Sequence, residues 1–132
     1  MTKVIHCSGK RKRAIAKATL RNGKGRVRVN NVMLDIYEPE LYRMKIQEPL
    51  ILAGDISNNL DIDISVIGGG INSQAEAARL ALSRCLVKHS KKLEKVFLKY
   101  NRQFLVADIR RKEVSKPNRH GQARAKRQKS YR

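Results

Sequence analysis

Cys85 and His89 stand four residues apart, a spacing that stacks both side chains on one helix face and could offer a thiolate and an imidazole to a metal. The other candidates do not complete such a site. His6 and Cys7 are neighbours that a strand would send to opposite faces, and His120 is isolated towards the C-terminus. Buried thiols and a core histidine account for these residues, so no metal is expected. Asp61 and Asp63 share one strand face about 7 Å apart, a spacing open to acid–base work. With no pocket-forming segment beside them, they read as solvating that face or opposing a Lys. Gly68-Gly69-Gly70 could bare amides to a phosphate, but Ile71-Asn72 follow where a mononucleotide loop needs Lys and then Ser or Thr. Gly23-Lys24-Gly25 precedes no helix and is no dinucleotide fingerprint. The triplet therefore reads first as a tight strand-to-helix turn and second as an RNA phosphate contact. Ser8, Ser73 and Ser130 have no base at readable spacing. Neither an enzyme nor a cofactor is expected.

The residue types that remain are cationic. The formal net charge of +19 on 132 residues lies wholly at the two ends. Residues 1–31 carry ten Lys or Arg and no acid, residues 110–132 carry ten against Glu113 alone, and 32–109 carry ten of each sign. Lys10-Arg11-Lys12-Arg13 form an unbroken quartet. A merely soluble surface would mix in acids, so these ends point to a polyanion, with nucleic acid first. Few aromatics and no Trp argue against a single-strand stacking platform. Charge by itself leaves RNA and DNA both open. A DNA-compacting protein stands as the second class, and a nucleotide-using or RNA-modifying enzyme as a third that lacks its motifs.

Elements must position these charges. Ala14, Ala16, Ala18 and Leu20 alternate with polar residues, as do Val27 and Val29, with Asn22-Gly23 as a strand-joining turn between them. One face of this β-structure is apolar and the other basic. Pro39 and Pro49 suggest two short helices, about 39–46 and 48–53. Leu60, Ile62, Ile64 and Val66 mark a half-buried strand. A helix over 73–90 follows, with Ser73 and Glu76 at capping-box spacing and an apolar stripe of Ala75, Ala78, Leu82, Cys85, Leu86 and His89. A second helical piece, 93–100, should turn Val96 and Phe97 inward, and 104–106 suggests a last strand. From Arg110 the periodicity ends. The expected organisation is a globular α/β RNA-anchoring domain over 1–109 and an extended basic tail over 110–132, disordered until a partner neutralises it. No apolar run reaches the ~20 residues of a membrane span, the first residues lack a signal pattern, and two lone cysteines suit a reducing cytosol.

Three segments together resemble a known family: SGKRKRAIAKATL at 8–20, GGGINSQAEAARLALSRCL at 68–86 and DIRRKEVSKPNRHGQARAKRQKSYR at 108–132. In this order they look like the ninth small-subunit ribosomal protein family, in its archaeal and eukaryotic rather than bacterial form. The resemblance implies an α+β fold: a mixed four-stranded sheet with helices packed on it, like the second domain of ribosomal protein S-five, plus the extended basic C-terminal tail. It implies a non-enzymatic, structural constituent of the cytoplasmic small ribosomal subunit that supports translation. Its partners would be the head domain of small-subunit rRNA, neighbouring proteins of the head and peptidyl-site tRNA, with no membrane and no small-molecule substrate. The resemblance assigns Lys129, Ser130 and Arg132 to the tRNA anticodon stem-loop. It assigns Lys10, Arg11, Arg13, Arg110, Arg111, Arg119, Arg124 and Arg127 to rRNA. Tyr131 stands where bacterial members have Lys, Cys85 replaces a small residue, and Pro117-Asn118-Arg119-His120 departs from the usual connection.

Overall fold

The computed structural model describes residues 4–119, 123–124 and 130–132. Its strands are β1 (Ile5–Arg11), β2 (Ala14–Asn22), β3 (Val27–Val29), β4 (Val32–Met33) and β5 (Leu60–Ile67). Its helices are α1 (Glu40–Ala53), α2 (Ile71–His89) and α3 (Lys92–Tyr100). The sheet runs β1-β2-β5-β3-β4, parallel between β3 and β5 and antiparallel elsewhere. This is the α+β class implied by the resemblance, with five strands rather than four. The extra strand is the two-residue β4, turned back by Asn30 and Asn31, both at positive φ, as a tight hairpin turn requires. The Asn30 side chain then bonds both ways with the Val66 backbone, extending the β3–β5 ladder by one rung.

Period-two alternation puts Ile5, Cys7, Gly9, Ala14, Ala16, Ala18, Leu20, Leu60, Ile62, Ile64 and Val66 on one buried face. The helices cover that face, α2 directly over β1 and β2, with α1 and α3 against α2. Small residues line the crossing. A Cβ on Gly9 would stand 2.4 Å from the Ala77 carbonyl oxygen and 2.7 Å from the Ala81 nitrogen. Ala75, Ala77, Ala78 and Ala81 are fully buried on the helix side, so the backbones approach closely enough to exclude larger side chains. Arg84 donates from α2 to the Ser8 carbonyl at 2.8 Å, covering the free edge of β1.

Several local expectations give way to long-range contacts. Pro49 does not divide α1: the helix runs unbroken over 14 residues, because the ring is fully buried on the inward stripe with Ile46 and Ala53. One lost backbone bond is outweighed by that burial. The Asn22-Gly23 turn makes no hairpin, since β5 lies between β2 and β3. The Asp61 carboxylate gathers the intervening loop instead, accepting from the Lys24 and Arg26 amides at 2.8 and 3.1 Å and from the Arg26 side chain at 2.8 Å. The capping box does not form: α2 starts at Ile71 with Gly70 as its uncapped N-terminal residue, leaving Ser73 inside the first turn. His89 and Val96 are exposed rather than inward. At 102–104 a 3-10 turn replaces the expected strand, because Phe104 folds back to meet Phe97 edge-on at 5.6 Å.

Two outcomes follow from this packing. Gly9→Ala should destabilise the protein by about 1–3 kcal/mol, since backbone rather than a flexible side chain must move. An unchanged urea midpoint would refute the close crossing. The Arg26 side chain and the loop amides hold the Asp61 carboxyl well below the usual carboxylate range. Its stabilising contribution is therefore complete above the unfolded value near ~3.9 and is lost as pH falls further. Asp61→Asn should lower Tm at pH 7, with the gap to wild type closing as both are taken below about pH 4. A gap independent of pH would show that the carboxylate charge does not hold the loop.

Candidate nucleic-acid interface

The β1–β2 turn, the loop before α2 and the chain leaving the core at 110 meet at one corner of the body. They enclose a notch of about 850 Å³. The turn contributes Arg11, Lys12 and Arg13, the loop and helix start Gly69, Gly70 and Ser73, and the departing chain Arg110, Arg111 and Lys112. Six cationic side chains from two distant stretches thus share one concavity, and among the described residues no acid lines it.

Local geometry accounts for each part. Lys12 at φ 53 makes the tight reversal that holds the basic quartet out at the end of the hairpin. Gly68 and Gly69 take positive φ of 73 and 67, and a Cβ on either would strike Arg13 or Ala14 at 2.7–2.9 Å. The first reading of the triplet, a tight turn, accounts for those two. Gly70 differs, since a Cβ there would meet nothing within 4 Å. It opens α2, whose first amides and positive dipole end border the notch.

Beneath the notch two acids set the geometry. Arg11 donates Nε to Glu76 at 2.7 Å and places Nη1 3.0 Å from Asp108. Asp108 accepts from the Arg110 backbone amide at 2.8 Å and from its Nη2 at 2.7 Å. Lys45 of α1 joins by its 3.7 Å contact with Glu76. The Arg110 side chain foremost, and then its amide, hold the Asp108 carboxyl far below the usual range. This half-buried chain of charges ties the departing segment to β1 and α2. Arg11 and Arg110 are consequently spent partly on intramolecular pairs. Lys12, Arg13, Arg111 and Lys112 are exposed and form no ion pair among the described residues. A site of this kind can neutralise phosphate oxygens.

The structure thus brings together Arg11, Arg13, Arg110 and Arg111 of the residues read from sequence. Lys10 is exposed on the neighbouring strand position. Arg119, Arg124, Ser130 and Arg132 do not line the notch. Arg124 forks onto Glu113 at 2.6 and 2.8 Å, and Arg119 reaches the Arg124 carbonyl at 3.3 Å. His120, Arg127 and Lys129 lie outside the described residues. Lys12 belongs to the basic quartet and Gly70 to the triplet whose second reading is a phosphate contact, whereas Lys112 and Asp108 have no assigned role. The Asp-x-Arg spacing at 108–110 carried a local signal for the last, an acid accepting from the amide two residues on.

Cys7 and Cys85 are free and buried, and burial together with the neighbouring Cys7 pushes the Cys85 thiol up, leaving it inert. His6 bonds to Thr19 at 3.0 Å, and among the described residues no three metal-ligating side chains cluster. Asp63 pairs with Arg28 at 2.8 Å, as Asp61 does with Arg26, so arginine rather than lysine opposes these acids. Among the described residues no helix is long and apolar enough to cross a membrane.

A family model described as ribosomal protein S9/S16 matches residues 9–132. The small ribosomal subunit protein uS9 of Methanococcus maripaludis strain C7 is 49% identical over 133 aligned residues, covering 98% of this chain and 99% of that protein. The protein of the same name from Methanococcus vannielii is 47% identical over the same shares. Both relatives are archaeal, in keeping with the branch that the three segments resemble. Matched by the family model over residues 9–132 and by relatives over 98% of its length, this chain belongs to the ribosomal protein S9/S16 family.

Proposed function

We propose that this chain is a structural, non-catalytic constituent of the small ribosomal subunit, in which the notch grips rRNA of the head domain. The observation that carries the reading is the convergence of six cations on the start of α2, four of which form no ion pair among the described residues. Arginine forks and lysine point charges both suit phosphate oxygens, and the bared helix start adds a favourable dipole. Residues 1–109 act as the anchor. Residues 110–132 act as an extended arm that leaves from the Asp108 tie, neutralises phosphates through Arg119, Arg124 and Arg127, and reaches the anticodon stem-loop of peptidyl-site tRNA. Lys129, Ser130 and Arg132 make that last contact. Nine net positive charges on 23 residues oppose ordering of the arm on its own and favour a partner that neutralises them. Neighbouring proteins of the head complete the setting.

Two measurements test the two parts. Arg13→Gln/Arg111→Gln/Lys112→Gln should lower the slope of log K against log salt for a head-domain rRNA transcript by about 2–3, at roughly 0.7–0.9 per phosphate contact. Equal binding to duplex DNA at matched salt, or an unchanged slope, would overturn the rRNA reading. Subunits reconstituted with a chain lacking residues 129–132 should assemble normally and release peptidyl-site tRNA faster in a filter-binding assay. Unaltered tRNA retention would overturn the role of the arm's end.

A further inference from the structure

The neutral sum over 32–109 conceals a second cationic surface. Residues 84–102 carry seven Lys or Arg against Glu94 alone. Within α3, Leu93 and Phe97 are buried, whereas Lys92, Lys95 and Lys99 recur at i, i+3 and i+7 and are exposed, as is Lys91 at the N-cap. Helical periodicity sets the three on one stripe turned away from the core. Glu94 lies off that stripe, beside Arg84 and Lys88 in the concavity next to β1. Among the described residues no ion pair reaches Lys91, Lys92, Lys95 or Lys99. The acids Glu40, Glu48, Asp61, Asp63, Glu76 and Asp108 each pair with an arginine instead.

This arrangement disfavours the isolated helix in two ways. Lys91 and Lys92 sit at its N-terminal, positive dipole end, where acids would be stabilising. Lys92/Lys95 and Lys95/Lys99 are like-charge pairs at i,i+3 and i,i+4, which also repel. A polyanion along the stripe relieves both penalties at once. Lysines suit it, since they supply mobile point charges without demanding a planar, bidentate partner.

We propose that the solvent face of α3, through Lys92, Lys95 and Lys99, binds the phosphate backbone of an RNA strand at a site separate from the notch. The stripe begins beyond the C-terminal end of α2, whose N-terminus borders the notch, and no α3 residue lines the notch. The body would then hold two RNA segments at once. This inference rests on the rRNA-binding reading above.

The test uses the full chain and a head-domain rRNA transcript. Lys92→Gln/Lys95→Gln/Lys99→Gln should reduce the salt slope by about 2–3, and the matching arginine variant should retain it. Tm should stay level or rise, because the removed charges repel. Combined with the notch variant, the slope losses should add, as for separate sites. If the notch variant loses slope and the α3 variant does not, the α3 site is refuted and the notch reading survives. If neither loses slope, both fall. If the α3 variant keeps its RNA slope but no longer joins a neighbouring ribosomal protein during reconstitution, the face belongs to an acidic protein and the inference is overturned.

Discussion

Where α2 crosses the sheet, Gly9 has no side chain, and the space a methyl group would need is filled by the backbone of Ala77 and Ala81. That approach sets the height and position of the helix above β1 and β2, and much else depends on it. It brings Glu76 within 2.7 Å of Arg11 and Arg84 within 2.8 Å of the exposed edge of β1. It also lays the Gly68-Gly69 turn against Arg13 and Ala14, so the bare start of α2 opens beside the basic hairpin turn. A larger residue at any of these points would lift the helix and separate the parts of the notch. Alanines line this crossing because closeness of backbones, rather than bulk of side chains, holds the corner together.

Arginine and lysine divide the electrostatic work. Most ion pairs inside the body are made by arginine: Arg11 to Glu76 and Asp108, Arg26 to Asp61, Arg28 to Asp63, Arg79 to Glu48. Arg79 is also stacked 5.1 Å from the Phe104 ring, joining α1, α2 and the 3-10 turn. The planar guanidinium can satisfy a carboxylate and an aromatic face in a partly buried site, where an ammonium is less adaptable. Among the described residues Lys45 is the one lysine in an ion pair. The net charge of +19 thus separates into a fraction that holds the fold and a larger fraction left facing outward. The outward fraction is what a folded polyanion would meet.

Alternation along β2 and β5, the length of α2 and the burial of both cysteines were legible in the residues, because a period of two or 3.6 reports a face directly. The site was legible in part. Arg11, Arg13, Arg110 and Arg111 stood out as members of charge runs, and they do converge. Their shared notch was not visible, since Arg11 and Arg110 are about a hundred positions apart along the chain. The misread elements share one cause. Pro49, Asn22-Gly23, Ser73 and the 104–106 run each carry a strong local signal, and each is overruled by a distant partner. Those partners are the core under α1, the Asp61 carboxylate, the close approach of the glycine loop to the hairpin, and the Phe97 ring.

Composition and periodicity alone determined that two cationic ends flank a neutral, core-forming middle of mixed α and β character, and motif order determined the family. Such properties are sums and repeats along the chain, so they survive without coordinates. Which strand lies beside which, which acids neutralise which arginines, and which cations stay free were decided by the tertiary structure. Each of those depends on groups far apart in sequence meeting within about 3 Å, the reach of a hydrogen bond, and no local pattern encodes that distance.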